Sequence, residues 1–285
     1  MKKMTKLVAR MAALTTAAVI SGSAFAGSIY MTGHDVDLHD GQNGYDVVIL
    51  NWLRGAGTGS EIAAGSYNIG VLRSIDAINP AGGFVGGVLD GAPATFGTVT
   101  AADPTQFADQ AAFSAFLSTI NVLAIASHVN CGGCDLSTGD SNVLNTYSAA
   151  ITAFFNAGGD LLVNSGANLA TYYDFLPPSA VATGVSISGS SGFTCTAAGV
   201  AIGIDCDASG TSNINGFPTH NRFTGFDPDF TVFETRGADT ISIGIRDAVI
   251  GGGGIGGGGT VPEPGTLALL GLSMAGLALG RRRKS

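Results

Sequence analysis

Four histidines and the aspartates around them are the residues of this chain whose types and spacing could do chemistry. His34 and His39 lie in Gly33-His34-Asp35-Val36-Asp37-Leu38-His39-Asp40, His128 follows an apolar run at 122–126, and His220 sits in Pro218-Thr219-His220-Asn221-Arg222-Phe223. Neutral imidazole with carboxylate is a donor set for zinc, manganese or iron, which makes His34, Asp35, His128 and His220 a candidate divalent-metal site. A plainer reading has His34 and Asp35 capping the loop after the first strand and His220 anchoring a long loop through hydrogen bonds. Asp35-x-Asp37-x-His39-Asp40-Gly41 carries part of a calcium-loop pattern. An EF-hand, however, wants an oxygen ligand where His39 stands and a Glu at the twelfth position, which Asp46 occupies. Ser127 and Ser165 both lie outside any Gly-x-Ser-x-Gly elbow, and no Walker or Rossmann phosphate loop is present.

The cysteines are Cys131 and Cys134, in a Cys-Gly-Gly-Cys, and Cys195 and Cys206. Three pairings are open from sequence. In an oxidising compartment the two local bridges, Cys131 with Cys134 and Cys195 with Cys206, are favoured. A redox Cys-x-x-Cys would open a helix that lowers the thiol pKa, whereas this one stands in a loop, and no second pair completes a zinc site.

These residues need elements to position them. The runs at 28–32, 67–72, 96–100, 122–126 and 161–163 read as buried strands. The apolar spacing at 104–118 and 141–157 reads as helices, the second ended by Gly158-Gly159. Residues 46–54 are ambiguous: Val-Val-Ile-Leu prefers a strand, but the alternation of the chain asks for a helix, which is the reading taken. Further strands are expected at 184–188 and 241–245, with His220 in the loop before the last. Such alternation predicts an α/β body with one doubly wound, flavodoxin-like, mostly parallel sheet and flanking helices. In such sheets ligands bind beyond the carboxyl ends of the strands, and all four histidines fall at or shortly after expected strands or loop turns.

The two ends carry addresses. Residues 1–26 combine a basic stretch, a short apolar run and the small-residue pattern Ala24-Phe25-Ala26. This is a secretory signal helix, cut by signal peptidase after Ala26. The apolar run is well short of the ~20 residues a span needs. At 251–260 a Gly-rich linker leads to 261–285, with Pro262-Glu263-Pro264, an apolar run at 267–279 and Arg281-Arg282-Arg283-Lys284. This segment resembles the PEP-CTERM sorting signal, which implies cleavage by an exosortase-type transpeptidase. Residues 264–280 would form a membrane anchor helix, with the basic residues on the cytoplasmic side and the body at 27–250 facing outward.

Of 13 Lys and Arg residues, eight lie in these ends, and of 21 Asp and Glu only Glu263 does, so the body is lysine-free and near −15. Such a surface repels nucleic acid and anionic lipid. It leaves cations, neutral glycans and basic partners open.

Gly33 through His39, Phe154-Phe155-Asn156-Ala157-Gly158-Gly159-Asp160, and Pro218 through Phe223 resemble uncharacterised exported bacterial proteins. Their fold is similar to class I glutamine amidotransferase-like and trehalose-utilisation-protein-like domains. The amidotransferases carry a nucleophilic cysteine on a strand-to-helix turn and a later His and Glu pair. Here no such elbow follows 122–126 and no Glu stands two residues after His220, so glutamine hydrolysis is not expected. The sequence leads to an exported surface or extracellular-matrix protein with a polysaccharide environment. The alternative is a secreted metal-dependent hydrolase acting on glycans or amides.

Overall fold

Alternation in β1 (Gly27–Thr32) sends Ile29 and Met31 to one side of a sheet and Tyr30 and Thr32 to the other, all of them buried. The parallel strands at 69–72, 122–125 and 160–163 repeat this two-sided burial. The computed structural model describes residues 27–35, 44–58, 61–73, 96–128, 136–206, 214 and 218–248. In chain order β1 is followed by α1 (Tyr45–Leu53), β2 (Ile69–Leu72), β3 (Val99–Ala102), α2 (Gln110–Leu117), β4 (Val122–Ile125), α3 (Thr138–Thr146), α4 (Ser148–Asn156) and β5 (Asp160–Val163). The second half adds β6 (Thr183–Gly189), β7 (Phe193–Cys195), α5 (Ala197–Ile202), β8 (Thr219–Thr224), β9 (Thr231–Arg236) and β10 (Asp239–Ala248).

Eight strands form one sheet in the order β3-β2-β4-β5-β1-β10-β9-β7. From β3 to β1 the pairing is parallel; β10, β9 and β7 continue it antiparallel. The sheet is therefore mixed, with an antiparallel third where a mostly parallel, flavodoxin-like one is expected. The reason is chain length. Only Gly237 and Ala238 separate β9 from β10, too few for a crossover, and Gly237 makes the turn with φ 59. β6 and β8 form a separate antiparallel pair, which places His220 on a strand and not in a loop. The chain steps from β2 out to β3 and back past it to β4, so the winding reverses between β2 and β4.

Helices cover both faces. Ile29, Met31, Leu123, Ile125, Leu161 and Val163 pack with α2, α3 and α4 through Phe113, Leu144, Ile151 and Phe155. Tyr30, Ile69, Val71 and Leu162 pack with α1 through Tyr45, Ile49 and Trp52. The stretch expected as one helix over 104–118 is a 3-10 turn, Pro104–Gln106, and then α2, because Asp103 caps the first and Asp109 the second. The helix expected over 141–157 is two. A Ser137–Asp140 capping box starts α3 at Thr138, and Tyr147, stacked on Phe113 at 4.6 Å, divides α3 from α4. The expected signal and anchor helices lie outside the described residues, among which no helix is long and apolar enough to cross a membrane.

Four of the body's five arginines are tied down. Arg54 pairs with Glu61 and donates to the Ile62 carbonyl at 3.0 Å, and Arg222 pairs with Asp239 at 3.0 Å. Arg236 donates to the Ser191 and Ser188 carbonyls at 2.9 and 2.8 Å. Arg246 lies 4.5 Å over the Trp52 ring and bonds the Trp52 carbonyl.

Cys195 and Cys206 form a disulfide with their Cα atoms 5.5 Å apart, while Cys131 and Cys134 lie outside the described residues. The bridge closes a loop of separation 11 around α5 and pins edge strand β7. Loop-closure entropy for that length predicts a loss of ~3 kcal/mol in a Cys195→Ala, Cys206→Ala chain. Urea unfolding of the two chains measures this, and equal midpoints would contradict it.

Candidate functional site

The parallel strands bring their carboxyl ends to one edge, and polar side chains gather there. β1 runs on through Gly33 to His34, which bridges Thr219 at the start of β8. The Gly33 carbonyl accepts the His220 N–H at 2.7 Å and the Thr219 hydroxyl at 3.0 Å, and the Asp35 N–H reaches the Pro218 carbonyl at 3.2 Å. Along β8 the burial alternates, turning Thr219, Asn221 and Phe223 inward and leaving His220 and Arg222 half-buried. Asp35 is buried. The Ser127 hydroxyl, just past β4, donates to Asp35 Oδ1 at 2.7 Å. On the other side His220 Nε2 stands 3.9 Å from Asp35 Oδ2, its side chain 25% exposed.

A second group adjoins the first through Asn221. Ser165 Oγ donates to Asn221 Oδ1 at 2.7 Å, and the Asn221 amide donates to the Ala167 carbonyl at 2.8 Å. The Tyr173 hydroxyl donates to the same Oδ1 at 3.2 Å and accepts the Gly166 N–H at 3.0 Å. Ala167 has φ 46, the one positive value for a non-glycine among the described residues. Strained residues of this kind gather at functional sites. Here the strained side chain is a methyl group, which cannot serve as a nucleophile.

On the opposite face of the sheet lies a wholly buried network. His34 Nε2 is 3.7 Å from Glu234 Oε2 on β9, with both side chains at 0% exposure. Tyr45 of α1 donates to Glu234 at 2.8 Å, Ser242 of β10 bonds the same oxygen, and the Tyr30 and Tyr45 hydroxyls lie 2.9 Å apart. Ser242 also reaches Thr32 at 3.0 Å. Burial pushes the Glu234 carboxyl up to about 7, against the downward pull of the hydrogen bonds from Ser242 and Tyr45. Burial first, and then the Glu234 charge, push both tyrosines well above their usual range.

The structure thus brings Asp35 and His220 together and separates them from the other candidate ligands. His34 faces Glu234. His128 faces Thr138, its Nε2 3.1 Å from the hydroxyl, while its backbone N–H holds the Ser165 carbonyl at 2.8 Å. Among the described residues no group of three His, Cys, Asp or Glu side chains could hold a metal ion; His39, Asp37 and Asp40 lie outside them. Sequence reasoning missed Glu234, Tyr45 and Asn221. Glu234 carries no periodic signal, because the β9–β10 register shifts on both sides of Ser242, and Phe233 and Glu234 are buried in succession.

Residues 260–284 match the PEP-CTERM protein-sorting motif, and this match covers the Pro262-Glu263-Pro264 segment with its apolar run and basic end. Neither a curated protein nor a solved structure matches the chain. By its tail, the chain is an exported protein that carries the sorting signal processed by exosortase-type enzymes.

Proposed function

We infer that this is a cell-surface or extracellular-matrix protein. Signal peptidase would release it after Ala26, residues 264–280 would hold it in the membrane, and an exosortase-type transpeptidase would trim its tail. The ordered tail motif at 260–284 carries the reading. The acidic, lysine-free body supports an environment of neutral polysaccharide, since anionic polymers are repelled. Helices on both faces of five parallel strands support the likeness of 28–247 to amidotransferase-like and trehalose-utilisation-protein-like domains as architecture. They do not extend it to activity.

In a bacterium with an exosortase, the full chain is expected to lose its C-terminal segment and leave the membrane fraction. A Pro262→Ala, Pro264→Ala chain should keep its tail and stay there. Mass spectrometry of the two fractions checks this, and identical processing of both chains would sink the reading.

A further inference from the structure

Given the cut after Ala26, on which this rests, we propose that removal of the signal peptide completes the fold: the α-ammonium it creates at Gly27 is held by the buried carboxylate of Asp160 and by the carboxyl end of α4. β1 is the fifth of the eight strands, enclosed between β5 and β10. Gly27 is its first residue, buried and paired with Ala248 of β10. A chain cut after Ala26 therefore starts within the sheet. One residue on, the Ser28 N–H donates to Asp160 Oδ1 at 2.7 Å, and the Tyr67 hydroxyl donates to Oδ2 at 2.7 Å. The Gly27 nitrogen is three backbone bonds, at most ~4.3 Å, from the Ser28 nitrogen, and so within reach of the Asp160 charge.

A methyl group at residue 27 would lie 2.3 Å from the Gly159 carbonyl oxygen and 2.7 Å from that of Phe155. Carbon cannot sit so close, but an N–H donor approaches such oxygens to ~2.7–3.2 Å. Phe155 belongs to the last turn of α4, where the carbonyls carry the negative end of the helix dipole. Residue 27 is thus bordered by acceptors from α4, from the turn after it and from β5.

Signal peptidase adds one water across the Ala26–Gly27 amide. The leader departs with the new carboxylate, and the Gly27 nitrogen, an uncharged amide until then, takes up a proton and becomes an ammonium. A buried carboxylate is costly unless it is hydrogen-bonded and paired, so the cut adds a cation where Asp160 gains from one. The processed chain is then more stable than its precursor with the same body sequence. The ionisable groups that bear on this corner include Tyr67, Arg54 and Arg246. Tyr67 stays a neutral donor, since burial and then the Asp160 charge push its hydroxyl well above its usual range. Arg54, whose charge reaches Tyr67, is paired with Glu61, and Arg246 of β10 lies over the Trp52 ring.

The test uses the full chain as exported, purified in mild detergent, with acetic anhydride as the probe. The body has no lysine, so its one amine is that of Gly27. Mass spectrometry of the N-terminal peptide reads both where the chain starts and how fast it is acetylated. At pH 7.5 the folded native chain should react at least tenfold more slowly than the same chain in urea, and its rate should titrate above the ordinary α-amino range of about 7.7–8.0. Burial alone would depress that value, because it disfavours the charged form. In Asp160→Asn the titration should move down. A native amine that titrates at or below the ordinary range overturns the proposal, as does a folded Asp160→Asn chain that titrates like the native one. A second comparison needs no substitution. Acetylated Gly27 carries the amide of the precursor, so this chain should melt about 2–4 °C below the free one at pH 7. The difference should fade as pH rises through the folded value; equal melting temperatures at pH 7 overturn the proposal too. A chain that does not begin at Gly27 sinks the cleavage reading and this proposal with it, whereas one that begins there without these effects sinks this proposal alone.

Discussion

A Gly33→Ala chain is expected to melt about 6–12 °C below the native one, the shift that ~3 kcal/mol gives a domain of this size. A methyl group at residue 33 would lie 1.9 Å from the Asn221 carbonyl oxygen and 2.9 Å from its carbon. Both are backbone atoms of β8, so no side-chain rotation relieves the clash, and the strain of overpacking falls on the lacing itself. The His220 N–H bond to the Gly33 carbonyl and the His34–Thr219 bridge both pass through this joint. Gly65→Ala is the matched control, since a methyl group there meets nothing within 4 Å. Calorimetry of the two variants decides the matter; a Gly33→Ala chain that melts with its control would show that β8 yields freely.

The second large effect is a pH dependence centred on Glu234. Unfolded, this carboxyl releases its proton near 4.5; folded, it holds the proton to about 7. Between those values the folded chain binds more protons than the unfolded chain, so stability falls as pH rises through the window and levels off above it. The shift corresponds to a loss of up to ~3 kcal/mol. The groups facing Glu234 are His34 after β1, Tyr30 of β1, Tyr45 of α1 and Ser242 of β10. A protonated His34 would offset part of the loss. Glu234→Gln keeps an acceptor for Tyr45 and Ser242 but cannot ionise. Urea unfolding at pH 4.5 and at pH 7.5 should therefore show the Gln chain gaining on the native chain by up to ~3 kcal/mol as pH rises. A stability difference that does not change with pH would falsify this account of the network.

Local pattern and tertiary context divided the labour unevenly along this chain. β1, β2, β4 and β5 were legible because parallel strands covered on both faces are continuous apolar runs. In α1 the β-branched run Val47-Val48-Ile49 favours a strand, but Tyr45, Ile49, Trp52 and Leu53 are buried at helical spacing, and packing against Tyr30 and Phe233 settles the choice. β8 was illegible because two of its inward residues are Thr219 and Asn221, polar groups that bond Gly33 and Ser165, 186 and 56 residues away in sequence. β9 hid its key residue in the same way. The acid at 234 is acceptable only where Tyr45 and Ser242 converge on it, and that meeting depends on which strands become neighbours. The placement of His34 and Asp35 just after the first strand was readable, whereas that of His220 on a strand was not. Nor was the pairing of His34 with Glu234 on one face and of Asp35 with His220 on the other, because it depends on β8 and on the antiparallel strands that follow it.

The anchored arginines bear on how long such a body would last outside the cell. Trypsin-like proteases cut after lysine or arginine and need the chain around the cut drawn out into their cleft. Between residues 27 and 260 there is no lysine and there are five arginines. Arg54, Arg222, Arg236 and Arg246 are each held by a carboxylate, a carbonyl or an aromatic ring within folded structure. Four of the five scissile positions are thereby closed to this protease class while the fold persists, which leaves Arg73 at the carboxyl end of β2. A body poor in cations for reasons of charge is, by the same composition, poor in places to be digested.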